Sequence, residues 1–176
     1  MLKFLKRWTG RLLGFLLVLI LLGLLLPEDI KMPVDGANQG DFNKNSFWFY
    51  PWGKSIVHKG VDIFAHKNTP IHSACEGLVV SVGQNDMGGN FVVVLGPKWR
   101  FHYYAHLEKA SVSRFDWVNH DSEIGTVGDS GNAKGKPSHL HYTIATFIPQ
   151  FQNRGAEHQS FKKLFYVDPT PYISQR

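Results

Sequence analysis

An unbroken apolar run, Leu12–Leu26, follows a basic start made of Lys3, Lys6, Arg7 and Arg11. It constrains the chain more than any other feature. Lipid satisfies no backbone polar group, so a Leu-rich segment of this kind is expected to be a helix whose hydrogen bonds close internally. Its roughly 15 residues fall short of the about 20 that cross hydrocarbon comfortably. Phe4, Leu5 and Trp8 extend it, with Lys6, Arg7 and Arg11 reaching back to the head groups. A cleaved export signal is the competing reading. Pro27-Glu28-Asp29-Ile30-Lys31 offers no small-residue cleavage site, and no Cys follows the run for lipid modification. The expectation is an uncleaved anchor in the cytoplasmic membrane, single-pass, with the basic residues inside and the rest of the chain outside. Residues 1–11 are then a cytoplasmic flank, 12–26 the anchor, 27–45 a polar linker merging into the domain edge, and 46–173 a folded domain.

Residues of hydrophobic type make up 43% of the chain and aromatic ones 14%, enough for a real core. The formal charge of +5 belongs largely to the N-terminal flank. About +2 remains beyond residue 31, which gives no reason to expect a nucleic-acid partner. Cys75 is the single cysteine, so no intrachain disulfide supports the fold. From Ile56 onward short segments rich in branched and aromatic residues alternate with Gly, Pro, Asn and Asp. They predict strands over residues 57–64, 70–75, 78–83, 91–95, 99–106, 124–127 and 139–146. Gly96-Pro97-Lys98 reads as a hairpin turn, and residues 156–165 as the one soluble helix. The fold class expected is all-β, an antiparallel β-sandwich or partly closed barrel, preceded by one N-terminal membrane helix.

Nine histidines carry the chemistry. His139 and His141 lie two apart in a predicted strand, so both side chains address one face while Leu140 points into a core. His58 and Asp62 lie four apart, about 13 Å on a straight strand. Gly60 between them offers a bend that brings them together. His106 ends a strand that also presents His102 and Tyr104. His66, His72, His102, His120 and His158 are expected to be surface or packing residues, and His72 with Glu76 a decoy pair.

In chain order, HKGVD (58–62), YYAHL (103–107), IGTVGDSGN (124–132) and SHLHY (138–142) resemble the motifs of lysostaphin/LytM-type zinc endopeptidases. The closing VDPTPYI (167–173) is similar as well, so the likeness covers roughly residues 33–173. The resemblance implies the LytM-type fold and one zinc per chain, held by His58, Asp62 and His141. It implies His106 and His139 as the catalytic pair, and peptide cross-links of bacterial peptidoglycan as substrate. It also allows an alternative, a non-catalytic module that binds or activates another cell-wall hydrolase. Three departures stand out: Pro137-Ser138 replaces a Gly-Pro, Thr143 stands where an acidic residue is usual, and His120-Asp121 where a glycine is. Residues 147–165 are extra sequence, expected to shape a groove wall.

Two His and one Asp leave a fourth tetrahedral position open, as in catalytic rather than structural zinc sites. No HExxH glutamate is present. A histidine must then take the proton, with His106 or His139 as base and the other steadying the oxyanion. The first test concerns the N-terminus. Intact-mass analysis of the chain from purified membranes is expected to find residues 1–26 still attached. A protein beginning after Leu26 and free of the membrane would refute the anchor.

Overall fold

The structure, a computed structural model, describes residues 2–174. Met1, Gln175 and Arg176 lie outside it, as do the side chains of residues 2–7, including Lys3, Lys6 and Arg7 of the basic flank. The chain opens with helix α1, Leu2–Leu25, about 36 Å long at 1.5 Å per residue. By length and composition its segment Trp8–Leu25 is long and apolar enough to cross a membrane.

Strands follow in the order β1 (Val61–Phe64), β2 (Pro70–His72), β3 (Gly77–Asn85), β4 (Gly89–Gly96), β5 (Arg100–Ala110), β6 (Trp117–Val118), β7 (Glu123–Val127) and β8 (His139–Thr146). A short helix α2 (Ser160–Lys163), strand β9 (Tyr166–Val167) and helix α3 (Thr170–Ile173) close the domain. All pairings are antiparallel. The main path runs β1-β8-β5-β4-β3-β6, with β2 and β7 forming a flap joined through β5 and β9 added to β8. The sheet is open and folds over its own core. The all-β, antiparallel expectation holds. Of the helix expected over 156–165, only α2 forms. Ahead of α2, Ala156, Glu157 and His158 follow Gly155 and are exposed, so they bring little apolar face to bury.

Alternation sets which side chains enter the core. Val61, Ile63, Leu140, Tyr142, Ile144, Tyr104, Val92 and Val94 point inward and are sealed from solvent. Their neighbours Asp62, Phe64, His139 and His141 point to the opposite face. Strand β5 does two jobs. Residues 100–105 pair with β8, whereas Leu107, Lys109 and Ala110 pair with β7. The change of partner falls at His106, whose φ of 63° is in the left-handed region. That backbone is unfavourable for a side chain with a Cβ. It is held by the His106 N–H to Gly88 carbonyl bond of 2.7 Å. Gly128 closes the junction, because a Cβ there would overlap the Glu108 amide.

The stretch after α1 is packed onto the domain. Ile30, Met32 and Val34 enter the core, and Val34 bridges Ile71 of β2. The Glu28 side chain is sealed and ion-paired with Arg100 at the start of β5. His102 is fully buried beside them, its Nδ1 sharing a 2.7 Å hydrogen bond with the Tyr142 hydroxyl. It is a packing residue, as the sequence predicts.

Two outcomes test this description. Burial, reinforced by the Arg100 charge, lowers the His102 pKa from 6.5 to about 3. The fold therefore favours the neutral ring. That contribution to stability is complete above the unfolded pKa and is lost as pH falls from about 6.5 through about 3. Denaturant titrations between pH 7 and pH 3 are expected to show a shallower loss for His102→Phe than for the parent. Separately, a Cβ on Gly60 would overlap the Tyr142 carbonyl and the Thr143 hydroxyl. Gly60→Ala is expected to cost about 1–3 kcal/mol, an overpacking penalty, whereas Gly36→Ala, with open space around it, should cost less despite its positive φ.

Candidate metal centre

Pairing of β1 with β8 places Asp62 directly opposite His141, and Phe64 opposite His139. His58 lies ahead of β1, so the straight-strand separation from Asp62 does not apply. Gly60 matters here through closeness more than through a bend: it lets the 58–62 segment lie flat on β8. His58 Nε2, Asp62 Oδ1 and His141 Nδ1 then converge. They stand 3.0 Å (His58–Asp62), 3.1 Å (His58–His141) and 2.7 Å (His141–Asp62) apart. Ligands about 2.0–2.1 Å from a common tetrahedral centre would stand about 3.3 Å apart, so the set matches a single small cation.

Proton accounting sharpens the fit. His58 Nδ1 donates to the Ser46 carbonyl at 3.0 Å. In the neutral ring Nε2 is then a lone pair, and it faces a carboxylate oxygen and a second imidazole. That meeting of acceptors is repulsive unless a proton or a cation sits among them. Burial pushes the Asp62 carboxyl up, but the hydrogen bonds and charges of His141 and His58 outweigh it and hold the group well below the usual carboxylate range. The site is therefore anionic, oxygen- and nitrogen-bearing, and one-sided.

The two remaining histidines stand across the same face. His106 and His139 have ring centroids 5.0 Å apart, and His106 lies 5.9 Å from His141. Each donates Nδ1–H to a backbone carbonyl: His106 to Ser130 at 2.9 Å and His139 to Pro137 at 2.8 Å. Both Nε2 atoms are thereby left as lone pairs. Burial, with the neighbouring His141 and His139 charges, lowers the His106 pKa to about 4, so its ring is neutral at pH 7.

All five residues line one cleft, with a volume of about 820 Å³. Its rim carries Trp52, Lys54, Lys59, Phe64, Tyr103 and Lys136. Trp52 stacks on His58 at 4.1 Å. The extra residues 147–165 do not line the cleft. They stand behind its wall: the His158 ring stacks on Tyr50 at 3.7 Å, and its carbonyl accepts the Trp48 indole N–H at 2.9 Å. Sequence reasoning left the partners of the metal-facing histidines unnamed. They are the Ser46 carbonyl and the Thr143 hydroxyl, 3.0 Å from His141 Nε2. A backbone carbonyl has no sequence signature. Thr143 had one, as a departure from the family pattern, and a hydroxyl both donates and accepts, so it serves either tautomer of His141.

His66 and His158 are exposed, and His120 lies 3.4 Å from Asp29. Among the described residues, the group of His58, Asp62 and His141 is the only one able to hold a metal ion through three such side chains.

Residues 56–154 match the sequence profile of Peptidase family M23. An L-Ala–D-Glu endopeptidase of Bacillus subtilis is 32% identical over 142 residues, covering 76% of this chain and 40% of that protein. The chain thus spans less than half the length of that relative. The catalytic domain of lysostaphin from Staphylococcus simulans superposes with a TM-score of 0.58 at 25% identity, covering 72% of this chain and 87% of that one. A zinc-containing peptidase from Vibrio cholerae gives 0.56 at 26% identity, covering 67% and 36%. With more than half of its residues inside the family profile, and with this fold and donor set, the chain belongs to Peptidase family M23.

Proposed function

We propose that this chain is a zinc-dependent endopeptidase that hydrolyses peptide cross-links of bacterial peptidoglycan, tethered by α1 to the outer side of the cytoplasmic membrane. One observation carries the reading: three donors converge on a point that the facing pair His106 and His139 also overlooks. His58, Asp62 and His141 would hold one zinc ion. The ion supplies a Lewis acid for the scissile carbonyl and brings the pKa of a bound water toward neutrality.

The protein's own groups do the rest. The cleft walls, with Trp52 and Phe64, exclude bulk water and bind the extended peptide. One of the lone pairs on His106 and His139 accepts the proton of the attacking water. The other imidazole, carrying on Nε2 a proton taken up from solvent, donates to the oxygen on which negative charge develops, and the first returns its proton to the leaving amine. The Ser130 and Pro137 carbonyls accept from Nδ1 of both rings, which leaves Nε2 of each to exchange protons in the cleft. The names of relatives support the substrate class: an L-Ala–D-Glu endopeptidase and a peptidoglycan DD-endopeptidase are among them. The basic start of the chain supports the topology.

The test combines elemental analysis with digestion of purified wall sacculi and mass analysis of the products. Asp62→Ala and His141→Ala are expected to lose zinc and hydrolysis together. His106→Ala and His139→Ala should keep zinc and lose about a hundred-fold or more in rate, the usual cost of removing a general base. His102→Ala serves as the control that keeps its zinc. Full zinc in Asp62→Ala would overturn the ligand set. Normal hydrolysis by both His106→Ala and His139→Ala would overturn the catalytic pair, and no hydrolysis by the zinc-loaded parent chain would favour the non-catalytic module.

A further inference from the structure

The end of the sheet opposite the cleft is built around α1. Of the side-chain positions described along α1, Gly23 alone is buried. It is covered by Trp99, whose indole a Cβ on Gly23 would overlap. The Trp99 Nε1–H donates to the Ile20 carbonyl at 3.0 Å. Ile20 lies five residues before the end of α1, about 7.5 Å back along its axis. The turn Gly96–Trp99 joining β4 to β5 therefore reaches below the top of the apolar helix. One residue further on, Arg100 grips the sealed Glu28 carboxylate, with the Tyr172 hydroxyl beside it. No slack separates helix from domain.

The neighbouring surface is aromatic. Row pairings Trp117–Leu78, Leu78–Leu95 and Leu95–Phe101 set these side chains on one face at this same end. Trp117 is 70% and Phe115 67% exposed, and the Arg114 guanidinium lies 4.6 Å over the Phe115 ring. Phe147, also exposed, packs at 5.7 Å from Phe101. Large exposed aromatics beside cations are costly facing water and favourable at a membrane interface, where the rings meet apolar matter and the cations meet phosphate. A Trp whose N–H is already satisfied by a helix carbonyl can sit there with no orphaned donor.

We propose that the partner of this end of the domain is the phospholipid interface itself. Lys98, Trp99, Phe115 and Trp117 rest among the head groups beside the top of α1, and the cleft is held at a set height above the bilayer. His106 lies seven residues along the chain from Trp99, so at most about 24 Å of strand lies between lipid contact and cleft. The reachable substrate is then peptide in the innermost layer of the wall. The inference rests on the reading of α1 as a membrane anchor.

The test uses the full chain with a nitroxide at Leu16→Cys, Lys98→Cys, Phe115→Cys or Lys136→Cys, each in vesicles of phosphatidylglycerol and phosphatidylcholine. Buried Cys75 stays unlabelled, and the parent chain is the blank. The ratio of collisions with oxygen to those with a water-soluble nickel chelate is expected to be highest at Leu16. It should be shifted to an interfacial value at Lys98 and Phe115, and aqueous at Lys136 on the cleft rim. An aqueous ratio at Lys98 or Phe115 with Leu16 in lipid overturns the proposal, leaves the anchor intact, and assigns this end to a protein partner. An aqueous ratio at Leu16 takes down the anchor and the proposal together.

Discussion

Antiparallel pairing of β1 with β8 sets Asp62 across from His141, and the remainder of the site depends on that register. Strand side chains alternate, so a slip of β1 by one residue would send Asp62 toward the core and bring Ile63 out, and the same slip of β8 would exchange His141 for Leu140. The register is protected by what lies beneath. Val61, Ile63, Leu140 and Tyr142 are all fully buried, and each would have to be exposed by the slip of its own strand. The burial of one face thus fixes the chemistry of the other. Gly60 permits the last step, bringing His58 down beside Asp62 without a Cβ to hold the 58–62 segment off β8.

Electrostatics favours the proposed role of the cluster. A partly buried carboxylate with two imidazoles turned toward it is repulsive toward their lone pairs unless a proton or a cation sits among them. The second pair is arranged in the opposite sense. Backbone carbonyls take the Nδ1 protons of His106 and His139, and desolvation keeps His106 neutral. In the proposed reading one half of the cleft attracts a cation and the other accepts a proton. The left-handed backbone at His106 shows that this placement has a cost, met by the rigid crossing of β5 from β8 to β7.

Much of this was legible in the chain. The period-two pattern around Leu140 predicts that His139 and His141 share a face, and they do. Strands over 78–83, 91–95, 124–127 and 139–146 fall inside β3, β4, β7 and β8. What stayed hidden is non-local. Nothing near His106 announces its contact with Ser130, because that depends on the Gly128 approach to β5. The two-residue strands β6 and β9 exist only through their partners. The polar stretch after α1 reads as a linker by composition, yet Ile30, Met32 and Val34, spaced two apart, carry a strand-like alternation that buries them. The extra residues 147–165 read as a wall and act as its buttress, since His158 accepts the Trp48 indole N–H and stacks on Tyr50.

The Ser46 carbonyl belongs to the same loop as Trp48, Tyr50 and Trp52. His58 is therefore steered by the wall of the cleft: one ring nitrogen is held by that loop, and one ring face is covered by it. Orientation of His58 and order of the loop form a single equilibrium, and linkage makes the coupling reciprocal. Whatever presses the loop home from the cleft side raises the affinity of the donor set for its cation, and a cation on the donor set stiffens the loop by the same free energy. Occupancy at the bottom of the cleft and rigidity at its lip are then two readouts of one state.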